Sequence, residues 1–154
     1  MPAARFLAAS LVAVALTATT GAGAASAASS YRIAVTEKST FVAQDLGATG
    51  FSIGDHLVYS SVFTNRTGKK VGDGGGDCIA ISGTSDKTAT YSCVGTNRFG
   101  KSTLSISGLY DASSTGQQQL AITGGTGKYA NARGVEELRT LPGDQFADVF
   151  RFTT

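Results

Sequence analysis

Apolar and polar residues alternate in short runs along most of this chain. The clearest is Ser102–Tyr110, where Leu104, Ile106 and Gly108 alternate with Ser105 and Ser107. A period of two is the mark of a strand with one buried face. Similar runs predict strands over Tyr31–Glu37, His56–Asn65, Lys70–Ser82 (with a glycine-rich interruption), Lys87–Val94, Gln118–Thr123, Gly134–Leu141 and Gln145–Thr153. Turn residues separate them, as in Arg66-Thr67-Gly68-Lys69 and Pro142-Gly143-Asp144. Helical periodicity is confined to one turn over Lys128–Ala132. Short strands at this spacing argue for an all-β sandwich or barrel, and hairpin-length links favour antiparallel neighbours. Eight strands can close on themselves and remove their edges, leaving room inside for side chains or one small ligand.

The alternation also sorts faces. Cys78, Ala80 and Ser82 share one side of their strand, with Ile79 and Ile81 on the other. Phe146, Asp148, Phe150 and Phe152 share one side of the last strand, opposite Val149. If one set fills an interior, the other calls for cover outside, which a second subunit could give. The two cysteines fit this pattern. A hairpin centred between Ser85 and Asp86 sets Cys78 directly opposite Cys93, close enough for a disulfide.

The N-terminus breaks the strand pattern. Arg5 precedes the apolar run Phe6–Leu16, and Ala25-Ser26-Ala27 offers a cleavage site. This predicts a secretory signal peptide over residues 1–27 and one domain over 28–154. Export implies a secreted, extracellular protein in an oxidising compartment, which favours the Cys78–Cys93 bridge. Without Arg5, twelve basic residues face eleven acidic ones. That balance gives no electrostatic case for a nucleic-acid partner or, after signal removal, for a membrane.

Several motifs resemble chemical sites without their context. Gly95-Thr96-Asn97-Arg98-Phe99-Gly100-Lys101-Ser102 matches a phosphate-binding loop, but an alternating strand follows where that mechanism needs a helix N-terminus. Gly72-Asp73-Gly74-Gly75-Gly76-Asp77 resembles one fragment of a calcium-binding repeat and reads as a loop or bulge. His56 is the single histidine and is expected at a barrel rim. Asn65-Arg66-Thr67 is a glycosylation sequon. The residues call for no cofactor and no metal.

Two family resemblances within one superfamily cover most of the region from Gly54 to Gly134. Gly54-Asp55-His56-Leu57-Val58, Lys69-Lys70-Val71-Gly72, Cys78-Ile79-Ala80-Ile81, Ala89-Thr90-Tyr91-Ser92 and Leu120-Ala121-Ile122-Thr123-Gly124-Gly125 are similar to plant allene oxide cyclases. Ser102–Gly108 and the run Gly124-Gly125-Thr126-Gly127-Lys128-Tyr129-Ala130-Asn131-Ala132-Arg133-Gly134 are similar to dirigent proteins. The resemblance implies an eight-stranded antiparallel β-barrel of lipocalin-like shape that assembles as a homotrimer. It also implies a hydrophobic small molecule in the lumen, cyclised in the manner of an isomerase or steered in its coupling. The alternative is a non-catalytic small-molecule binding or carrier module. Ligand-binding residues implied are Leu57, Tyr59, Ser61, Tyr110 and Arg133, with Cys78 also at a cavity position. Tyr110, Arg133 and Asp148 are the implied catalytic candidates. Tyr59 and Tyr110 would supply apolar walls with polar tips, Arg133 a planar fork for an anion, and Asp148, among phenyl rings, an acid of raised pKa. The cyclases' acidic first-strand position aligns with Ala34 and Thr36, so the key acid is expected to be missing, with Glu37 on the opposite face.

Overall fold

Eight strands of alternating burial pair in sequence order into a closed barrel: β1 (Ser30–Gln44), β2 (His56–Thr64), β3 (Lys70–Ser82), β4 (Thr90–Phe99), β5 (Ser102–Asp111), β6 (Gln117–Gly125), β7 (Arg133–Leu141) and β8 (Gln145–Thr153). This is a computed structural model, and it describes residues 28–154. The expected signal peptide over residues 1–27 lies outside the described residues. Every neighbouring pair is antiparallel, and β1 closes the barrel by pairing with both β2 and β8. One 3-10 turn, Gly127–Tyr129, caps the β6–β7 connection.

Three expectations about elements change. β1 runs on to Gln44, because its second half pairs with β2 from Thr36↔Thr64 to Gln44↔His56. β4 begins at Thr90 and extends to Phe99, leaving Lys87 in the turn. The segment Gly72–Asp77 is regular strand inside β3 rather than a loop. Its glycines are there for closeness: a Cβ on Gly74 would stand 2.2 Å from Asn97 Oδ1, and one on Gly76 would stand 2.2 Å from the Val94 carbonyl oxygen. The phosphate-loop pattern falls across the end of β4 and the start of β5, with Gly100 turning at φ +65.

The interior is layered along the barrel axis. At one end Phe63, Phe99 and Phe150 pack ring against ring, with centroids 5.3 to 6.0 Å apart. Tyr31, Tyr129 and Phe152 extend the plug. These residues come from the N-terminal half of β1, the C-terminal ends of β2, β4 and β8, and the 3-10 turn. At the other end Cys78 and Cys93 face each other across β3 and β4 and form the expected disulfide, their Cα atoms 4.0 Å apart. Outside, Ile79, Ile81, Val94 and Leu109 remain exposed on adjoining strands.

Candidate functional site

Between the aromatic plug and the open end lies a polar layer. Val35, Glu37 and Ser39 on β1, Tyr59 and Ser61 on β2, Asn97 on β4, Glu136 on β7 and Asp148 on β8 all take the inward parity of their strands. Glu37, Ser39, Ser61, Asn97, Glu136 and Asp148 are all buried. The expectation for β1 is therefore corrected. Ala34 and Thr36 take the outward parity, and Glu37 continues the inward series Tyr31, Ile33, Val35. Because side chains alternate with a period of two, an alignment one residue out of step moves an acid from inside to outside. The barrel does carry an acid on its first strand.

Glu37 is held by two hydroxyls. Ser39 Oγ donates to Glu37 Oε1 at 2.6 Å, Ser61 Oγ donates to the same oxygen, and the two serines are 2.8 Å apart. Glu136 and Asp148 are less well matched. Glu136 Oε2 and both Asp148 oxygens are buried without a well-formed hydrogen bond. Oxygens of Glu37, Glu136 and Asp148 all approach within 4.8 Å of one another.

Three carboxyls so close in an apolar tube do not all ionise. Burial, and then the Glu37 charge, push the Glu136 carboxyl up to about 8. Burial also drives Asp148 far above the usual carboxylate range, reinforced by the adjoining Glu37 as a charge and as a proton-sharing neighbour, and by Glu136. Near neutral pH the layer thus holds two carboxylic acids beside Glu37. Among the described residues this trio is also the one acidic cluster spaced to hold a metal ion. Hard divalent cations take oxygen ligands at about 2.0–2.6 Å, and one seated here would have to displace those protons.

A cavity of about 60 Å³ adjoins this layer, lined by Glu37, Ser39, Asn97 and Glu136 and walled by Phe41, Leu57, Tyr59, Tyr110, Leu138 and Phe146 among others. It continues past Phe41, Leu57, Tyr110 and Phe146 into a mouth of about 850 Å³ at the C-terminal end of β1. Tyr59 lies along the inner wall over the β3 glycine Gly76 as far as β4: a Cβ on Gly76 would lie 2.8 Å, and one on Gly95 2.3 Å, from its hydroxyl. Burial first, then Glu136, Glu37 and Asp148, raise its phenol well above the ordinary value. Burial also raises Tyr110, against the opposing effect of a hydrogen bond with Thr140.

The expected site residues divide. Leu57, Tyr59 and Tyr110 line the cavity, as does Cys78 within the disulfide. Ser61 stands in the polar layer on Glu37. Asp148 is in that layer but covered, behind the carboxyls that face the cavity. Arg133 does not belong to the site, and its expected ligand-binding and catalytic roles are corrected. It takes the outward parity of β7, is exposed, and donates from Nη1 to the Ala132 carbonyl at 2.7 Å. His56 lies at the mouth with Nδ1 2.8 Å from Asp77.

Glu37, Glu136 and Asn97 are cavity-lining positions that sequence reasoning missed. The signal for two of them was parity: Glu37 follows Tyr31, Ile33 and Val35 at steps of two, and Glu136 precedes Leu138 by two.

The family model of the allene oxide cyclase barrel like domain matches residues 29–150. Among solved structures, pyocyanin demethylase superposes with a TM-score of 0.67 at 24% identity, over 79% of this chain and 99% of its own. A pterocarpan synthase dirigent protein gives 0.63 at 22% identity, over 82% of this chain and 88% of its own. A Diels–Alderase from Streptomyces koyangensis gives 0.65 at 18% identity, over 80% of this chain but only 63% of its own. The search among curated proteins brings no match. At these identities the structural likeness is one of fold, while the family match spans nearly the whole described barrel. The chain belongs to the allene oxide cyclase barrel-like family.

Proposed function

We propose that this barrel binds a hydrophobic small molecule in its lumen and steers its cyclisation or coupling, with the buried acids supplying a proton. One observation carries the reading: Glu136, a carboxyl pushed up to about 8, lines an apolar cavity that opens to one end of the barrel. A neutral acid held there can donate to an oxygen on which charge develops. The walls would hold a flexible substrate in one folded shape with water excluded. Asp148 stands behind it as a second proton store. The relatives' printed activities (a demethylase, a Diels–Alderase, a pterocarpan synthase) support small-molecule chemistry in such a lumen. Native mass spectrometry of protein purified from its own host tests the binding, with a co-purifying small molecule as the expected result. With that molecule or its precursor in hand, Glu136→Gln should lose at least about 100-fold in turnover, the low end of general acid catalysis. Full turnover by Glu136→Gln refutes the acid, and binding without turnover leaves a carrier module instead.

Export and assembly belong to the same reading. The leader-like residues 1–27 and the disulfide together support secretion. The exposed Ile79, Ile81, Val94 and Leu109 support an oligomer, a homotrimer by family resemblance.

A further inference from the structure

We infer that the lumen selects an apolar molecule carrying a basic nitrogen and turns away carboxylates. This deepens the proposed function and rests on the lumen being a ligand site. The first ground is what the lining lacks. The residues around the inner cavity include Glu37 and Glu136 but no lysine, arginine or histidine. With Arg133 on the outer surface, no cationic side chain stands at the inner end to pair with an anion.

The second ground is unmet hydrogen-bonding capacity. Glu136 is buried, lines the cavity, and has an oxygen with no partner. Buried polar atoms are nearly always paired, so such gaps call for an explanation. A ligand nitrogen supplies one. A free base accepts a hydrogen bond from a protonated carboxyl. If the proton passes from the carboxyl to the nitrogen, the resulting ammonium donates back to the carboxylate left behind, and no net charge is created. A carbonyl or ether oxygen would gain the first of these interactions but not the second. Charge-assisted hydrogen bonds are about twice as strong as neutral ones.

The third ground lies at the entrance. The mouth is lined by Asp45, Asp55, Asp86 and Asp144, against Lys87 and His56. A cleft dominated by one sign of charge concentrates the opposite sign and speeds its entry. Beyond it, the rings of Phe41, Tyr59, Tyr110 and Phe146 border the passage inward, and aromatic faces attract cations. Sizes agree as well. The inner cavity of about 60 Å³ takes only a small head, while the mouth of about 850 Å³ has room for a ring system.

Three naphthalenes of one skeleton test the inference: 2-(aminomethyl)naphthalene, 2-(hydroxymethyl)naphthalene and 2-naphthoic acid, each titrated at pH 7 and followed by naphthalene fluorescence. The amine should bind at least about tenfold more tightly than the alcohol, as a charge-assisted bond implies. The acid should bind at least about tenfold more weakly than the alcohol. In Glu136→Gln/Asp148→Asn, checked for folding by circular dichroism, the ratio of amine to alcohol affinity should fall to about one. The wild-type comparison stands without that variant. An acid that binds as well as the alcohol, or an amine that binds no better, overturns the inference while leaving the lumen a ligand site. Failure of all three to bind folded wild type would overturn the lumen reading itself.

Discussion

Replacing Glu136 by glutamine should make the barrel's stability less sensitive to pH. The carboxyl's folded pKa is raised from 4.5 to about 8, so the folded state holds its proton more tightly than the unfolded chain does. The stability linked to that proton is fully present below the unfolded pKa and is lost as pH rises toward the folded value. Each pH unit within that window costs about 1.4 kcal/mol. Between pH 5 and pH 7 the wild type should therefore lose about 2.5 kcal/mol through Glu136, allowing for partial titration of the unfolded chain at pH 5. Glu37, Asp148 and Tyr59 face the same group. Asp148, also raised, adds a loss of the same sign. The readout is therefore the difference between wild type and Glu136→Gln, measured by urea unfolding at pH 5, 6 and 7. Glutamine brings a roughly constant cost for its own buried amide, about 1–3 kcal/mol, which cancels between pH values. The expected result is a difference that moves in the variant's favour by about 2.5 kcal/mol across the range. Parallel curves for the two proteins would refute the claim that Glu136 is buried and protonated.

Other expectations follow from particular contacts. Cys78→Ala/Cys93→Ala opens a loop of sequence separation 15 and should cost about 3 kcal/mol in urea unfolding; an unchanged midpoint would mean that the bridge does not constrain the chain. Gly76→Ala places a methyl 2.2 Å from the Val94 carbonyl oxygen and 2.8 Å from the Tyr59 hydroxyl. It should destabilise by at least about 2 kcal/mol, and a thermal melt matching wild type would contradict that fit. Arg133→Ala should leave the affinity for a lumen probe unchanged and stability within about 0.5 kcal/mol, because the side chain is exposed on the outer face. A tenfold loss of affinity would return it to the site. Val94→Asp/Leu109→Asp should convert an oligomer to monomer in light scattering, since both side chains are exposed on the outer sheet. A monomeric wild type would remove the case for assembly.

Alternation by itself determined most of the architecture. Apolar steps of two put Leu104 with Ile106, Cys78 with Ala80, and Phe146 with Phe150 and Phe152 on shared faces, and the structure buries all of them. Hairpin counting set Cys78 against Cys93 for the same reason, since cross-strand partners lie at equal distances from the turn. Local signals stop where a residue's role depends on distant strands. Gly72–Gly76 reads as a loop in isolation; only the close approach of β4 and the reach of Tyr59 make those glycines part of a strand. Glu37, Glu136 and Asp148 are scattered over three strands, and in sequence they are ordinary acids. Barrel closure brings β1, β7 and β8 side by side, and that proximity, in a medium that solvates charge poorly, turns three separate carboxyls into a shared proton site. Strand parity is a property of consecutive residues and can be read along the chain. The charge state of a carboxyl depends on which other charges lie within a few ångströms, and only the closed tube decides that.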